Sequence, residues 1–177
     1  MSVAVISLGA NLGDRLGNLQ AAVDGLRAHR VSSVYETEPW GDPDQPRYLN
    51  AVAIASDPAR GPRDWLVLAQ DLERRAGRVR DPARRFGPRP LDVDLIDVRD
   101  ADGASIVMDD PELTLPHPRA AVRAFVLIPW RELEPDATLP GAGPVADLLA
   151  TPEVSADAPG VRRRDDLVLY PVADCSR

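Results

Sequence analysis

The order of strand-like and helix-like segments in residues 3–98 limits the fold of this chain more than any other sequence feature. The strand-like segments, rich in β-branched and other apolar residues, are residues 3–9, 31–38, 49–56 and 91–98. The helix-like segments, with apolar residues at helical spacing, are residues 15–29 and 62–76. This β-α-β-β-α-β order predicts an α+β, ferredoxin-like fold, with a central antiparallel sheet and both helices on one face.

The chain beyond residue 98 gives weaker patterns. The further expected elements are a hairpin around residues 101–107, a turn at 114–118 and a helix around 120–133. Residues 135–160 are rich in Pro, Ala, Gly and acidic residues, which predicts surface loops. We expect residues 1–155 to form one domain and residues 156–177 to form a C-terminal extension that is flexible in part.

Composition excludes several classes of protein. The net charge is −7, and all 21 basic residues are arginines. A chain without lysine cannot be a P-loop NTPase, a protein kinase or a Schiff-base enzyme, because each needs a lysine amine. The acidic surface predicts no nucleic-acid partner and no membrane partner. The single cysteine, Cys175, excludes an intrachain disulfide, so we expect a cytoplasmic protein.

Two aspartates one residue apart lie in the last strand-like segment. Because side chains alternate along a strand, Asp92 and Asp94 point to one face, roughly 6 to 7 Å apart, while Leu91, Val93 and Leu95 point to the core. Paired carboxylates repel each other, and two Mg²⁺ ions roughly 4 Å apart could bridge them. The alternative is a solvated strand face, and the Asp-x-Asp pattern alone leaves both readings open.

An arginine-rich segment directly precedes these aspartates. Seven arginines lie between residues 74 and 89, with Asp81 as the only acid within residues 75–89. Guanidinium groups bind phosphate oxygens in a bidentate fashion, and carboxylates bind Mg²⁺. The combination predicts a site for a polyphosphate, and the segment could close over a nucleotide. The alternative is a solvated connection whose arginines pair with nearby acids.

Other residues could serve a small-molecule site. His117 stands between two prolines and could donate to a phosphate or could be structural. Tyr48, Asn50 and Phe125 could enclose a flat heterocycle, or they could be core aromatics and a turn asparagine. Glu73, on the second helix, is either a surface charge or a contact to a nucleotide.

Five motifs together resemble the 6-hydroxymethyl-7,8-dihydropterin pyrophosphokinase family. They are SLGANLGDR, YLNAV, GRVR, RFGPRPLDVDLI and LPHPR, in this order over roughly residues 1–155. The resemblance implies a ferredoxin-like α/β/α sandwich. It also implies transfer of diphosphate from ATP to 6-hydroxymethyl-7,8-dihydropterin, releasing AMP, with two Mg²⁺ ions as cofactors. We expect a monomer whose partners are these two small-molecule substrates.

The resemblance also assigns a role to each matching position. The catalytic residues would be Arg78, Arg89, Asp92 and Asp94, of which Asp92 and Asp94 would hold the Mg²⁺ ions. The ATP-binding residues would be Gln70, Glu73, Arg80, Arg85, His117 and Arg123. The pterin-binding residues would be Gly9, Thr37, Trp40, Tyr48, Asn50, Phe86 and Phe125.

Two other functions are compatible with parts of the pattern. A two-metal phosphodiesterase or nuclease would use paired aspartates and arginines, but it would need a basic surface for a long polyanion. A non-catalytic ferredoxin-like module would bind a ligand without the metal site. An RNA-recognition domain would require exposed aromatics in a central strand, and no strand-like segment contains that motif.

Overall fold

The computed structural model of the chain describes residues 1–39, 43–79 and 87–173. The strands in this part of the chain are β1 Ser2–Ala10, β2 Arg30–Val31, β3 Tyr35–Thr37, β4 Tyr48–Asp57, β5 Asp92–Arg99, β6 Met108–Asp109, β7 Thr114–Leu115, β8 Thr138–Leu139, β9 Gly143–Pro144 and β10 Arg162–Arg163. The α-helices are α1 Arg15–Leu26, α2 Pro62–Arg75, α3 Ala124–Leu133, α4 Val145–Leu149 and α5 Pro152–Asp157.

The main sheet has the strand order β10-β3-β4-β1-β5, and its pairings are antiparallel. The order confirms the predicted ferredoxin-like topology, since β1 lies between β4 and β5. Strand β1 pairs with β4 along its whole length, from Ser2 opposite Asp57 to Ala10 opposite Leu49. This arrangement brings the start of β5, the end of β1 and the start of β4 together at one end of the sheet.

The prediction of a single strand over residues 31–38 was wrong. Both β2 and β3 pair with β4, but residues 32–34 between them are not part of either strand. The hydroxyl oxygen of Ser32 accepts a hydrogen bond from Val52 N–H at 2.9 Å, in place of a backbone carbonyl. The apolar pattern gives no sign of this break in the strand. The Ser32 hydroxyl accepts the hydrogen bond from Val52 N–H that a strand carbonyl would otherwise accept.

Helices cover both faces of the sheet. The core on one face joins the even-numbered side chains of β1 to α1 and α2, including Leu19 and Trp65. The core on the other face joins Val5 and Val52 to α3, including Trp130. The result is the three-layer α/β/α arrangement, in which a sheet buried on both sides holds the site residues on rigid strands.

The strand β5 carries a β-bulge. Val5 pairs with Asp97 while Ile6 pairs with Leu95, so Ile96 is the extra residue. Before the bulge, Val93 and Leu95 pack in the core that contains α1 and α2, as predicted. Asp92 and Asp94 lie on the opposite face.

Residues 99–133 contain the predicted hairpin and a helix that is shorter than predicted. A turn at Asp100 returns the chain along β5, where Ser105 bridges Arg99, which confirms the hairpin. The helix predicted around residues 120–133 is a 3-10 turn over Ala120–Val122 followed by α3, with Pro129 inside the helix.

The prediction of surface loops over residues 135–160 was wrong. This segment contains the β8-β9 hairpin and the helices α4 and α5. Val145 and Val154 are fully buried in the core against α3. The proline and glycine content of this segment is typical of loops, but its small apolar residues pack in the core and hold it against α3.

The C-terminal segment adds a strand to the sheet edge. Arg162 and Arg163 pair with β3, Leu169 is buried in the core, and Val172 N–H donates to Ala28 carbonyl oxygen at 2.8 Å. The division at residue 155 stays a prediction. No helix in the described ranges has the length and apolar character that crossing a bilayer requires.

Candidate active site

A cavity of about 380 Å³ opens where β1, β4 and β5 meet α2 and the segment before α3. Every predicted site residue within the described ranges lines it. These residues are Gly9, Thr37, Tyr48, Asn50, Gln70, Glu73, Arg78, Arg89, Asp92, Asp94, His117, Arg123 and Phe125. Four other predicted residues lie outside the described ranges: Trp40, Arg80, Arg85 and Phe86. The fold therefore brings the residues predicted to bind ATP and Mg²⁺ and those predicted to bind the pterin into one cavity.

One side of the cavity is built on β1, β3 and β4. Asn50 is 4% exposed, and its amide nitrogen donates to the Thr37 hydroxyl oxygen at 2.6 Å. Gly9 stands opposite Asn50 across the sheet. A Cβ on Gly9 would lie 3.1 Å from Asn50 Oδ1 and 3.5 Å from the Tyr48 ring, so the absent side chain leaves the space in front of the amide open.

Tyr48 and Phe125 supply the aromatic walls of the cavity. Burial raises the pKa of the Tyr48 hydroxyl, which therefore stays a neutral hydrogen-bonding group. The Arg123 guanidinium lies 5.6 Å from the centre of the Phe125 ring, a cation–π distance. Arg123 thus connects the aromatic side of the cavity with the acidic side.

Asp92 lies between two guanidinium groups. Its Oδ1 accepts from Arg78 Nη1 at 2.6 Å and from Arg89 Nη1 at 3.2 Å. Burial would raise the pKa of the Asp92 carboxyl, but Arg78 and Arg89 outweigh it and lower this pKa. Asp92 is therefore ionised over the whole physiological range.

Asp94 has weaker partners. Its Oδ2 lies 3.3 Å from Arg123 Nη1 and 3.8 Å from His117 Nε2. Burial, with the neighbouring charge of Asp92, raises the pKa of Asp94 to about 6. A cation bound between the two aspartates would reverse this shift, because positive charge favours the ionised carboxylate.

His117 is held as one neutral tautomer. Its backbone N–H donates to Ile96 carbonyl oxygen at 2.9 Å, which places the residue alongside β5. Its Nδ1 accepts from Arg119 N–H at 3.1 Å, so the ring proton of the neutral form is on Nε2. Burial, then Arg123 and Arg119, lowers the pKa of His117 to about 4. His117 and Asp94 therefore form no ion pair at neutral pH, and His117 presents an N–H donor to the cavity.

Glu73 and Gln70 reach the cavity from α2. The alternative that Glu73 is a surface charge is wrong, since the residue is 5% exposed. Its Oε1 accepts from Val93 N–H at 3.0 Å and also from the Arg78 guanidinium. The available signal was its spacing, because Glu73 lies four residues after Ala69 and eight after Trp65, on the buried face of α2.

Two residues without a predicted role also contribute. Asn11 donates from its side chain to Gln45 Oε1 at 2.8 Å and accepts from Arg89 N–H at 2.8 Å. It therefore fixes the backbone of Arg89 to the loop before β4. Arg119 lines the cavity beside His117. Both belong to motifs quoted above, SLGANLGDR and LPHPR, and that membership was the available signal.

The donor set fits Mg²⁺. Within the described residues, no group of three or more His, Cys, Asp or Glu side chains could hold a metal ion by itself. Mg²⁺ is commonly bound by one or two carboxylates together with substrate phosphates. Asp92 and Asp94, facing a cavity lined by Arg78, Arg89 and Arg123, match that kind of site.

Comparison with known proteins gives a consistent result. The family model for 7,8-dihydro-6-hydroxymethylpterin-pyrophosphokinase (HPPK) matches residues 5–135. A Mycobacterium tuberculosis protein named 2-amino-4-hydroxy-6-hydroxymethyldihydropteridine pyrophosphokinase is 48% identical over 171 residues, covering 92% of this chain and 89% of its own. A Pseudomonas aeruginosa protein of the same name is 39% identical over 151 residues, covering 82% of this chain and 88% of its own.

The fold is also found in solved structures. A Plasmodium falciparum HPPK-DHPS structure aligns with a TM-score of 0.64 at 12% identity and covers 92% of this chain. The chain spans 47% of that longer protein, so the likeness concerns the fold of one part of it. From the family match and the identities of its relatives, the chain belongs to the 7,8-dihydro-6-hydroxymethylpterin-pyrophosphokinase family.

Proposed function

We propose that the chain transfers diphosphate from ATP to 6-hydroxymethyl-7,8-dihydropterin in an Mg²⁺-dependent reaction of folate biosynthesis. The observation that carries the proposal is a single cavity with two different walls. One wall presents Asp92 and Asp94 beside guanidinium groups, and the other presents the Asn50 amide beside Tyr48 and Phe125. The first wall suits a polyphosphate and the second suits a flat, hydrogen-bonding heterocycle.

The reaction requires an attack on the β-phosphorus of ATP. The pterin hydroxyl oxygen forms a bond to this phosphorus and gives up its proton to solvent, while the bond to the α,β-bridging oxygen breaks and AMP leaves with that oxygen. Asp92 and Asp94 would hold the Mg²⁺ ions, for which we propose a number of two. When bound, Mg²⁺ supplies positive charge that offsets the charge of the phosphates and polarises the attacking hydroxyl.

The arginines bind and orient the phosphates. Arg78 and Arg89 neutralise Asp92, at 2.6 Å and 3.2 Å. When the carboxylate binds a cation instead, the same guanidinium groups become available to phosphate oxygens, to which they can make bidentate contacts. Arg123 and the Nε2–H of His117 would add donors on the Asp94 side. Positioning and charge compensation supply the rate enhancement, so no dedicated side-chain base is needed.

The pterin wall supplies recognition. Because the Thr37 hydroxyl oxygen accepts from the Asn50 amide nitrogen, the Asn50 amide is held in one orientation towards the cavity. Tyr48 and Phe125 would contact the faces of the ring. Trp40 and Phe86, which we propose for the same ring, and Arg80 and Arg85, which we propose for ATP, lie outside the described ranges.

We also propose a cytoplasmic monomer. One chain supplies both walls of the cavity, so the site needs no second copy to be complete. The single cysteine is typical of a protein from a reducing compartment. The alternative functions, a two-metal nuclease and a non-catalytic binding module, have no support in the family match.

AMP formation tests the proposal directly. Purified protein with ATP, Mg²⁺ and the dihydropterin should form AMP and the pterin diphosphate in equal amounts. Removing either Mg²⁺ or the pterin should stop the reaction. Asp92→Ala and Asp94→Ala should abolish it with an unchanged far-UV circular dichroism spectrum, whereas Asp71→Asn on the outer surface of α2 should not. AMP formation that continues without the pterin would overturn the assignment.

A further inference from the structure

Glu73 connects α2 to the strand that carries the aspartates. Its Oε1 accepts from the backbone N–H of Val93, which lies between Asp92 and Asp94, at 3.0 Å. Strand β5 is the last strand in the order of the main sheet, so this N–H needs a partner from outside the sheet. A buried carboxylate that satisfies a strand N–H fixes the distance between helix and strand.

The same carboxylate also holds Arg78. The helix α2 ends at Arg75, and the chain turns at Gly77, where φ is 84°, so that Arg78 N–H donates to Glu73 carbonyl oxygen at 3.1 Å. The Arg78 guanidinium then returns to donate to the Glu73 carboxylate and to Asp92 Oδ1. With an exposed side-chain fraction of 11%, Arg78 is enclosed by its two acidic partners.

We propose that Glu73 is a positioning residue that holds the Arg78 guanidinium beside Asp92 and ready for phosphate, in place of the nucleotide contact expected from the sequence. The inference deepens the proposed function and rests on it for its catalytic consequence. Once Asp92 binds a cation, Glu73 is the acidic partner that remains with Arg78. A partner that stays bound restricts the rotamers of the Arg78 side chain beforehand, so the side chain loses less entropy when it binds phosphate.

The charge distribution supports a structural contact over a nucleotide contact. The carboxylate accepts from both the backbone N–H of Val93 and the Arg78 guanidinium. Both hydrogen bonds end on Oε1, and such charge-assisted bonds, which are stronger than neutral ones, fix the orientation of the carboxylate towards β5 and Arg78. Gln70, one turn earlier on α2, is exposed and lines the cavity without that constraint.

A double-mutant cycle separates the two roles. Glu73→Gln keeps an acceptor for Val93 N–H and removes the charge that holds Arg78. We expect about a tenfold loss of kcat, the size of one charge-assisted hydrogen bond, with KM for ATP within about twofold. In an Arg78→Ala background, the same substitution should change kcat by less than about twofold, because its partner is already absent.

Amide exchange supplies a readout that does not depend on catalysis. In the substrate-free protein, Glu73→Ala should speed hydrogen exchange at the Val93 amide at least about tenfold, and Glu73→Gln should leave it within about threefold. Asp71→Asn is the matched control, because it removes an acid from the same helix that pairs only with Arg74 and Arg75 among the described residues.

The outcomes are distinct. A Glu73→Gln loss that is equally large with and without Arg78, or that falls on KM for ATP, would assign Glu73 to the nucleotide and overturn the inference. An unchanged Val93 exchange rate in Glu73→Ala would remove its structural basis. A wild-type protein that forms no pterin-dependent AMP would instead refute the proposed function, while the exchange experiment would still decide whether Glu73 anchors β5.

Discussion

Asp92 and Asp94 share one face of β5, yet the pKa of Asp92 is lowered and the pKa of Asp94 is raised to about 6. The difference comes from their partners. Two arginines lie within 3.2 Å of Asp92 Oδ1, while among the described residues the nearest guanidinium to Asp94 is that of Arg123, at 3.3 Å, and burial outweighs it. Asp92 is thus ionised over the whole physiological pH range, whereas Asp94 titrates at about pH 6.

The raised pKa of Asp94 predicts an acidic limb in the rate. Because the proposed Mg²⁺ would bind the ionised carboxylate, kcat/KM should fall by about tenfold per pH unit well below pH 6, with Mg²⁺ at a subsaturating concentration. Raising the Mg²⁺ concentration should move the limb to lower pH, since the cation competes with the proton. Rates of AMP formation between pH 4.5 and 8 at two Mg²⁺ concentrations measure this. A limb that does not move with Mg²⁺ would assign it to another group.

The same shift predicts a stabilising substitution in the substrate-free protein. The folded-state pKa of Asp94 lies above the unfolded value, so its contribution to stability is full below about pH 4 and is lost as the pH rises through about 6. Asp94→Asn should therefore raise the free energy of unfolding at pH 8 by about 1 kcal/mol, a value reduced for solvent screening because 34% of the side chain is exposed.

Urea unfolding at pH 4 and pH 8 checks this expectation for Asp94→Asn. The stabilisation should disappear at the lower pH, where Asp94 is protonated in the wild type. Asp92→Asn is the informative comparison, because its lowered pKa predicts the opposite sign at pH 8. Equal effects of the two substitutions at pH 8 would contradict the assigned environments.

The Thr37–Asn50 hydrogen bond predicts a selective loss of pterin affinity. Thr37→Val removes the acceptor for the Asn50 amide nitrogen while keeping the shape of the side chain. Without this partner the amide is no longer held in its orientation towards the pterin, and an imperfectly paired buried amide costs about 1 to 3 kcal/mol, so the dihydropterin Kd should rise by roughly 5-fold to 150-fold. Isothermal titration with the pterin, in the presence of a nonhydrolysable ATP analogue, measures the change. An equal loss of affinity for the ATP analogue alone would show a general structural defect instead.

Gly9 makes a related prediction by packing. A Cβ at this position would lie 3.1 Å from Asn50 Oδ1, closer than ordinary van der Waals contact. Gly9→Ala should therefore weaken pterin binding by about tenfold by displacing the Asn50 amide. Ala10→Gly, on the other face of the same strand, serves as a control for backbone effects. Unchanged pterin affinity in Gly9→Ala would mean that the pterin does not approach this part of β1.

The C-terminal segment should contribute to stability. Leu169 is 6% exposed and packs in the core on the α1 side, while the adjacent Val168 is 52% exposed. Leu169→Ala should lower the free energy of unfolding by about 2 to 3 kcal/mol, and Val168→Ala by less than about 0.5 kcal/mol. Chemical denaturation of both variants measures this. Similar small effects would support the expectation that residues 156–177 form a flexible extension.

Much of the fold followed from local patterns. The alternation Leu91, Val93, Leu95 placed Asp92 and Asp94 on one face, because the period of a strand is fixed by its backbone. The break at Ser32 and the burial of Val145 and Val154 did not follow. The Ser32 side chain replaces a backbone acceptor, and this replacement leaves no periodic signal in the sequence. Val145 and Val154 are small apolar residues near prolines, and they leave no periodic signal either.

The sequence by itself determined the order of the elements, the family and the set of residues available to the site. Only the tertiary structure decided their electrostatic states. Asp92 is ionised, Asp94 titrates near neutral pH, His117 is neutral and Glu73 is buried beneath Arg78. These states depend on burial and on charges brought together from distant parts of the chain, since Glu73 and Arg123 lie 19 and 31 residues from Asp92 in sequence but line one cavity with it. A pKa is set by three-dimensional neighbours, and no local pattern specifies them.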